Sequence, residues 1–113
     1  MRFELVELGP TVNKVVLVGR LDSVTVGSVE TPLTAAVAAS GRSAVLDMTG
    51  LEFLSSLGIR LLLSAARVVT RRGGQVVLFG VQPMVREVLT AMALDEVLPV
   101  VGTESEALAR VGA

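Results

Sequence analysis

Residues 44–73 read AVLDMTGLEFLSSLGIRLLLSAARVVTRRG, and the fold depends on how that stretch divides. Ala44 to Met48 is a short apolar run that suits a buried strand, with Asp47 near its C-terminal end. Thr49 to Leu54 holds Gly50 and Phe53 and reads as a connection. From Ser56 to Arg72 the apolar spacing becomes helical: Ile59, Leu62, Leu63, Ala66 and Val69 or Thr70 follow the i, i+3, i+4, i+7 rule. Arg71 and Arg72 sit in the last turn, where the helix dipole favours cations, and Gly73 supplies a left-handed cap. A strand, a connection and a helix in succession are the first part of a crossover to a parallel strand.

Working outward, Phe3, Leu5 and Leu8 alternate with Glu4 and Glu7. Gly9-Pro10-Thr11 makes a turn, and Val15 to Val18 reads as a more buried strand, so the chain opens with a hairpin. Gly19 to Ser28 is a loop carrying Asp22, Ser23 and Thr25. The helix after it has two readings. In one, Thr25 is the N-cap and the first turn is irregular, with a kink near Glu30. In the other, Thr31-Pro32 forms the N-cap and N1 pair of a helix over 32–39, because proline deep inside a helix is costly. Gly41 ends it in either case. Downstream, Gln75 to Phe79 is a buried strand, and Gln82-Pro83 opens a short helix through Val85, Val88, Leu89 and Met92. Val97 to Val101 is a last strand, and Thr103 to Glu106 opens a terminal helix. The order β-β-α-β-α-β-α-β-α predicts one α/β domain over 1–113. Its mixed, mainly parallel sheet has about five strands, an N-terminal antiparallel hairpin and about four covering helices.

Composition excludes several kinds of chemistry. The chain has 113 residues, 51% of them hydrophobic and 19% charged, with no Cys, His, Trp or Tyr. It therefore has no means of forming a disulfide, a zinc cluster, a thiol nucleophile, a Ser-His-Asp triad or a phosphohistidine. Three Phe side chains offer little for base stacking, and a net charge of -1 gives no field to attract nucleic acid or anionic lipid. The longest charge-free run, Gly73 to Val85, is shorter than a membrane span, and the charged start at Arg2, Glu4 and Glu7 is unlike a signal peptide. The expectation is a complete, soluble, cytoplasmic chain with no cofactor and no metal.

The segment with most chemical promise is Phe53-Leu54-Ser55-Ser56-Leu57-Gly58-Ile59. Ligands of α/β folds gather at the C-terminal ends of strands, and a helix N-terminus favours an anion. Two serines placed there suit a covalent phosphate. They equally suit a plain cap at Ser55, with Gly58 allowing close backbone packing. On the helix itself, Arg60, Ser64, Arg67 and Arg71 form a polar stripe. Leu57, Leu61 and Val68 widen the apolar arc beyond what a core needs, either as a docking flank or as side chains under a neighbouring helix. Asp22 and Asp47 each stand near a strand end. On adjacent strands they would bring two carboxylates to the edge where Ser56 sits, as acid-base or metal chemistry would require.

Five motifs, in order and spacing, resemble the STAS domain: Gly19-Arg-Leu-Asp22-Ser-Val-Thr25, Val45-Leu-Asp47-Met-Thr49, Phe53-Leu-Ser-Ser-Leu-Gly58-Ile, Arg67 with Gly73-Gly74, and Val77-Leu-Phe-Gly-Val81. More narrowly, they resemble the free-standing anti-sigma-factor antagonists of bacteria. That family reads Phe-x-Asp-Ser-Ser/Thr-Gly-Leu, and the serine after the aspartate is phosphorylated. By this resemblance the phosphoacceptor falls on Ser56, with Ser55 as the alternative, and the loop aspartate, threonine and glycine fall on Asp22, Thr25 and Gly58. The resemblance implies that the unphosphorylated protein sequesters an anti-sigma factor that is also a serine kinase. Phosphorylation ends the binding, and a serine phosphatase restores it. The implied partner surface is the loop at Asp22, Ser23 and Thr25 with the helix start at Ser55, Leu57, Gly58, Ile59, Arg60 and Leu61. Three positions depart from the pattern: Ser55 stands for the aspartate, Leu57 for the second hydroxyl residue, and Arg20 where an acidic residue is common.

Two competing readings follow from the same residues. One is a STAS subunit partnering an ABC-type lipid transporter ATPase, or a constitutive adaptor that is never phosphorylated, to which Ser55 in place of Asp gives weight. The other is an enzyme, resting on Asp22 and Asp47 alone. The expectation is a binding module, not an enzyme.

Overall fold

Alternation in the first twenty residues is what builds the hairpin. In the computed structural model, which describes residues 1–40 and 42–112, β1 (Arg2–Glu7) pairs antiparallel with β2 (Val12–Leu21), Phe3 lying opposite Leu17 and Leu5 opposite Val15. The remaining elements are α1 (Val26–Ser40), β3 (Ser43–Leu54), α2 (Ser56–Arg71), β4 (Val76–Phe79), α3 (Pro83–Ala91), β5 (Val100–Val101) and α4 (Glu104–Arg110). The five strands lie in the order β1-β2-β3-β4-β5, and every pair after the first is parallel. The expected fold class and element order are therefore what the chain adopts.

The two faces of the sheet are covered unequally. Val15, Leu17, Ala44, Leu46, Met48, Val76 and Leu78 point to one face. There they meet Val29, Leu33 and Val37 of α1, Ile59, Leu62, Ala66 and Val69 of α2, and Val85 and Leu89 of α3 in one buried cluster. The alternate residues Val12, Val45, Val77 and Phe79 point the other way and are covered by Ala107 and Leu108 of the short α4. An ion pair between Lys14 and Glu104 fastens α4 to β2.

Four local expectations are corrected. The segment Thr49–Leu54 is not a connection: β3 runs through it to Leu54. Its register against β2 slips between Val16 and Val18 and again between Gly19 and Arg20, so β3 carries extra residues against its partner. Such bulges destroy the period of two that marks a strand in sequence. The helix α1 begins at Val26 and runs through Pro32, so the reading over 32–39 does not hold, and Gly41 lies outside the described residues. The last strand contains only Val100 and Val101. Before it, the Val97 and Leu98 amides turn back to the Leu94 carbonyl, which takes them out of any ladder. Met92 follows α3 as an exposed cap residue and does not face the core.

Candidate functional site

The ends of β2 and β3 lie side by side, with Leu21 opposite Leu54. The Ser55 amide donates to the Leu21 carbonyl at 2.9 Å, so the loop leaving β2 and the helix leaving β3 are joined where they start. Gly58 makes that closeness possible. A Cβ on it would stand 2.9 Å from Leu21 Cγ, 2.8 Å from Leu54 Cδ1 and 3.0 Å from the Leu21 carbonyl oxygen. Glycine is needed here for space, since its own backbone is ordinary helix.

The Asp22 loop is closed by its own side chains. Asp22 Oδ1 accepts from the Val24 amide at 3.0 Å and the Thr25 amide at 3.1 Å. The Thr25 hydroxyl accepts from the Asp22 amide at 3.0 Å and donates to the Arg20 carbonyl at 2.6 Å. The Ser28 amide and hydroxyl both donate to the Thr25 carbonyl, at 3.0 and 2.7 Å. Thr25 thus stands at the head of α1, as one reading of the sequence had it, although its hydroxyl closes the loop and does not cap the helix. The amide of Thr25 foremost, helped by that of Val24, the Thr25 hydroxyl and the Arg20 charge, holds the Asp22 carboxyl below its ordinary value of 3.8, and desolvation, second in size to the Thr25 amide, opposes it. The Arg20 guanidinium lies 4.3 Å from the centroid of the Phe53 ring and 3.8 Å from Asp22 Oδ2. That stacking arrangement was not read from the sequence, because it needs the pairing of Arg20 with Phe53 across the bulged register. Ser23 is exposed beside the loop.

At the start of α2 the two serines differ. Ser55 is the N-cap, in extended conformation, and its Oγ accepts from the Gly58 amide at 3.2 Å. Ser56 is the first helical residue. It is exposed, and among the described residues its hydroxyl has no hydrogen-bond partner. Leu57 beside it is 41% exposed, and Arg60 is exposed one turn later. Gly58, Ile59 and Leu61 are buried, so they support this surface from beneath. Of the three residues in the apolar flank, Leu61 is only 5% exposed, which fits the reading of it as a side chain under a neighbouring helix and not the docking-flank reading. Val68 is half-buried, and Leu57 alone remains at the surface.

Residues from α1 complete the surface in a way the sequence did not signal. Val26 and Glu30 line an open groove of about 310 Å³ with Leu57, Arg60, Leu61 and Ser64. On the other side of the helix start, Met84 of α3, 71% exposed, borders an apolar crevice with Phe53 and Val88.

Asp47 does not join this site. It pairs with Val16 in the middle of β3, five β2 residues short of the Leu21–Leu54 pair, or roughly 17 Å along the strand. Its carboxylate accepts from the Thr49 amide at 3.0 Å and the Thr49 hydroxyl at 2.6 Å. The paired-carboxylate arrangement is thus corrected: the strands are adjacent, and their register keeps the two groups apart. Among the described residues, no group of three acidic side chains lies close enough to hold a metal ion, and no helix is long and apolar enough to cross a membrane.

The pattern of the STAS domain matches residues 5–107. BtrV of Bordetella bronchiseptica, named as an anti-sigma factor antagonist, is 32% identical over 93 residues, covering 82% of this chain and 80% of its own. An anti-sigma-factor antagonist (STAS) domain protein from Planctomyces limnophilus superposes with a TM-score of 0.85 at 27% identity over 97% of each chain. The Bacillus anti-sigma factor antagonist SpoIIAA, in its unphosphorylated form, superposes with a TM-score of 0.82 at 25% identity, covering 97% of this chain and 96% of the other.

Proposed function

Because the chain belongs to the STAS domain family, we propose that it is an anti-sigma-factor antagonist, a cytoplasmic binding module without enzymatic activity of its own. In this reading the unphosphorylated protein captures a kinase-type anti-sigma factor through the Asp22 loop and the exposed start of α2. The kinase then moves the terminal phosphoryl group of a nucleoside triphosphate to Ser56 Oγ. A P–O ester forms, the hydroxyl proton is lost and the nucleoside diphosphate leaves. A serine phosphatase hydrolyses the ester and resets the switch.

One observation carries the choice of acceptor. The Ser55 hydroxyl caps α2, whereas the neighbouring Ser56 hydroxyl is exposed and has no partner among the described residues. SpoIIAA is itself known in phosphorylated and unphosphorylated forms, which agrees with a switch of this kind. Phosphate on Ser56 adds about -1.5 to -2 charges beside Leu57 and Asp22. The helix N-terminus tolerates that charge, so the fold survives, while an apolar interface on Leu57 and Val26 does not.

The test is binding to the candidate kinase with Ser56→Asp, Ser56→Ala and Ser55→Ala proteins. Ser56→Asp is expected to weaken binding on the order of 100-fold, with the melting curve nearly unchanged. Ser56→Ala is expected to bind and resist phosphorylation. A Ser56→Asp protein that binds normally rejects the switch. Ser55 in the family's aspartate position then favours the constitutive adaptor, and a transport ATPase recovered with the protein in place of a kinase identifies its kind.

A further inference from the structure

Arg60 stands one helical turn after Ser56, and both side chains are exposed. Residues four apart on a helix lie one above the other. Each side chain leans toward the helix N-terminus, so the later residue of such a pair reaches over the earlier one. A guanidinium at position 60 therefore has a phosphate at position 56 within its reach. In the unmodified protein this is an unfavourable place for a cation, because the first turns carry the positive end of the helix dipole. Among the described residues Arg60 has no hydrogen bond and no ion pair. Glu30 of α1 lines the same groove, yet no ion pair joins the two. Other charges at this end of the sheet are Arg20, held over the Phe53 ring, Asp22, which its own loop occupies, and the exposed Glu52 near the end of β3.

We propose that Arg60 is a built-in counter-ion for phosphate on Ser56, forming a guanidinium–phosphate pair across one turn of α2. The proposal rests on Ser56 being the phosphoacceptor. Arginine suits the role because its planar donors match two phosphate oxygens at once. The pair holds the added group down over the helix start, beside Leu57 and at the mouth of the groove, where it obstructs docking. It also favours the doubly ionised phosphate, so the full charge is present at neutral pH.

The experiment installs phosphoserine at position 56 during translation, which needs no kinase, and follows the phosphorus NMR shift against pH. Arg60→Gln is expected to raise the second ionisation of the phosphate by about 0.2–0.4 unit, the size of an exposed i,i+4 ion pair. Arg60→Lys is expected to restore most of that difference, and Arg20→Gln to leave the value within about 0.1 unit. An Arg60→Gln protein that titrates like the parent overturns the proposal, as does a shift produced by Arg20→Gln in its place. Binding of the same phosphoserine protein to the kinase is measured separately. Undiminished binding there defeats the reading of Ser56 as the switch, whatever Arg60 does.

Discussion

Two helices begin at the same end of the sheet, one backbone hydrogen bond apart, and their first turns are finished differently. The head of α1 is internally satisfied: the Asp22 carboxylate and the Thr25 and Ser28 hydroxyls are all bonded to neighbouring backbone. The head of α2 has one such bond, from the Gly58 amide to Ser55, and then presents Ser56, Leu57 and Arg60 to solvent. The first arrangement makes a rigid shoulder. The second leaves an exposed hydroxyl and a cation, neither with a bonding partner among the described residues, and an apolar side chain on an otherwise well-anchored helix. Local bonding is thus complete at the head of α1 and incomplete at the head of α2, where the proposed function puts the phosphate.

The contrast can be broken most severely at Gly58, which lets the two heads approach. Gly58→Val is expected to destabilise the fold by about 2–3 kcal/mol, because the added atoms meet the Leu21 carbonyl and Leu54. A melting curve within a degree of the parent would show that the two strand ends are free to separate. Ser55→Ala is expected to cost about 1 kcal/mol, the usual value of an N-cap, and denaturant titration reads it directly. Asp22→Asn sharpens the comparison through pH. The folded-state ionisation of Asp22 is lowered, so its stabilising effect is complete above the ordinary value of 3.8 and is lost as pH falls through the lower folded value. The gap in melting temperature between parent and Asp22→Asn is therefore expected to be widest at neutral pH and to close in acid. A gap independent of pH would mean that the carboxylate's charge has no part in closing the loop. Smallest of all, Ser56→Ala is expected to stay within about 0.5 kcal/mol of the parent, since among the described residues that hydroxyl has no hydrogen-bond partner.

Legibility in the sequence followed the same division. Helix α2 could be read almost to the residue, because helical spacing, capping serine and terminal Gly73 all agree there. The second half of β3 could not, because its bulges and the polar Thr49 and Glu52 interrupt the alternation that marks a strand. The same misreading put Asp47 at a strand end, and only the register shows it in the middle of one. Pro32 argued against a helix that the loop bonding of Asp22 and Thr25 nevertheless starts upstream of it. At the site, Ser55 and Ser56 were both visible in sequence, but which one caps depends on a single hydrogen bond. Leu61 was legible as apolar, and its burial was not, because that is decided by where α1 packs.

The bond between the Ser55 amide and the Leu21 carbonyl bears on speed as well as shape. A surface whose two halves are already fastened together loses little freedom when a partner arrives, so encounter need not wait for a loop to order. Under the proposed switch, the two signalling states would differ by a charge on a fixed frame. The response time would then be set by the turnover of the enzymes that write and erase that charge, with no delay added by the protein itself.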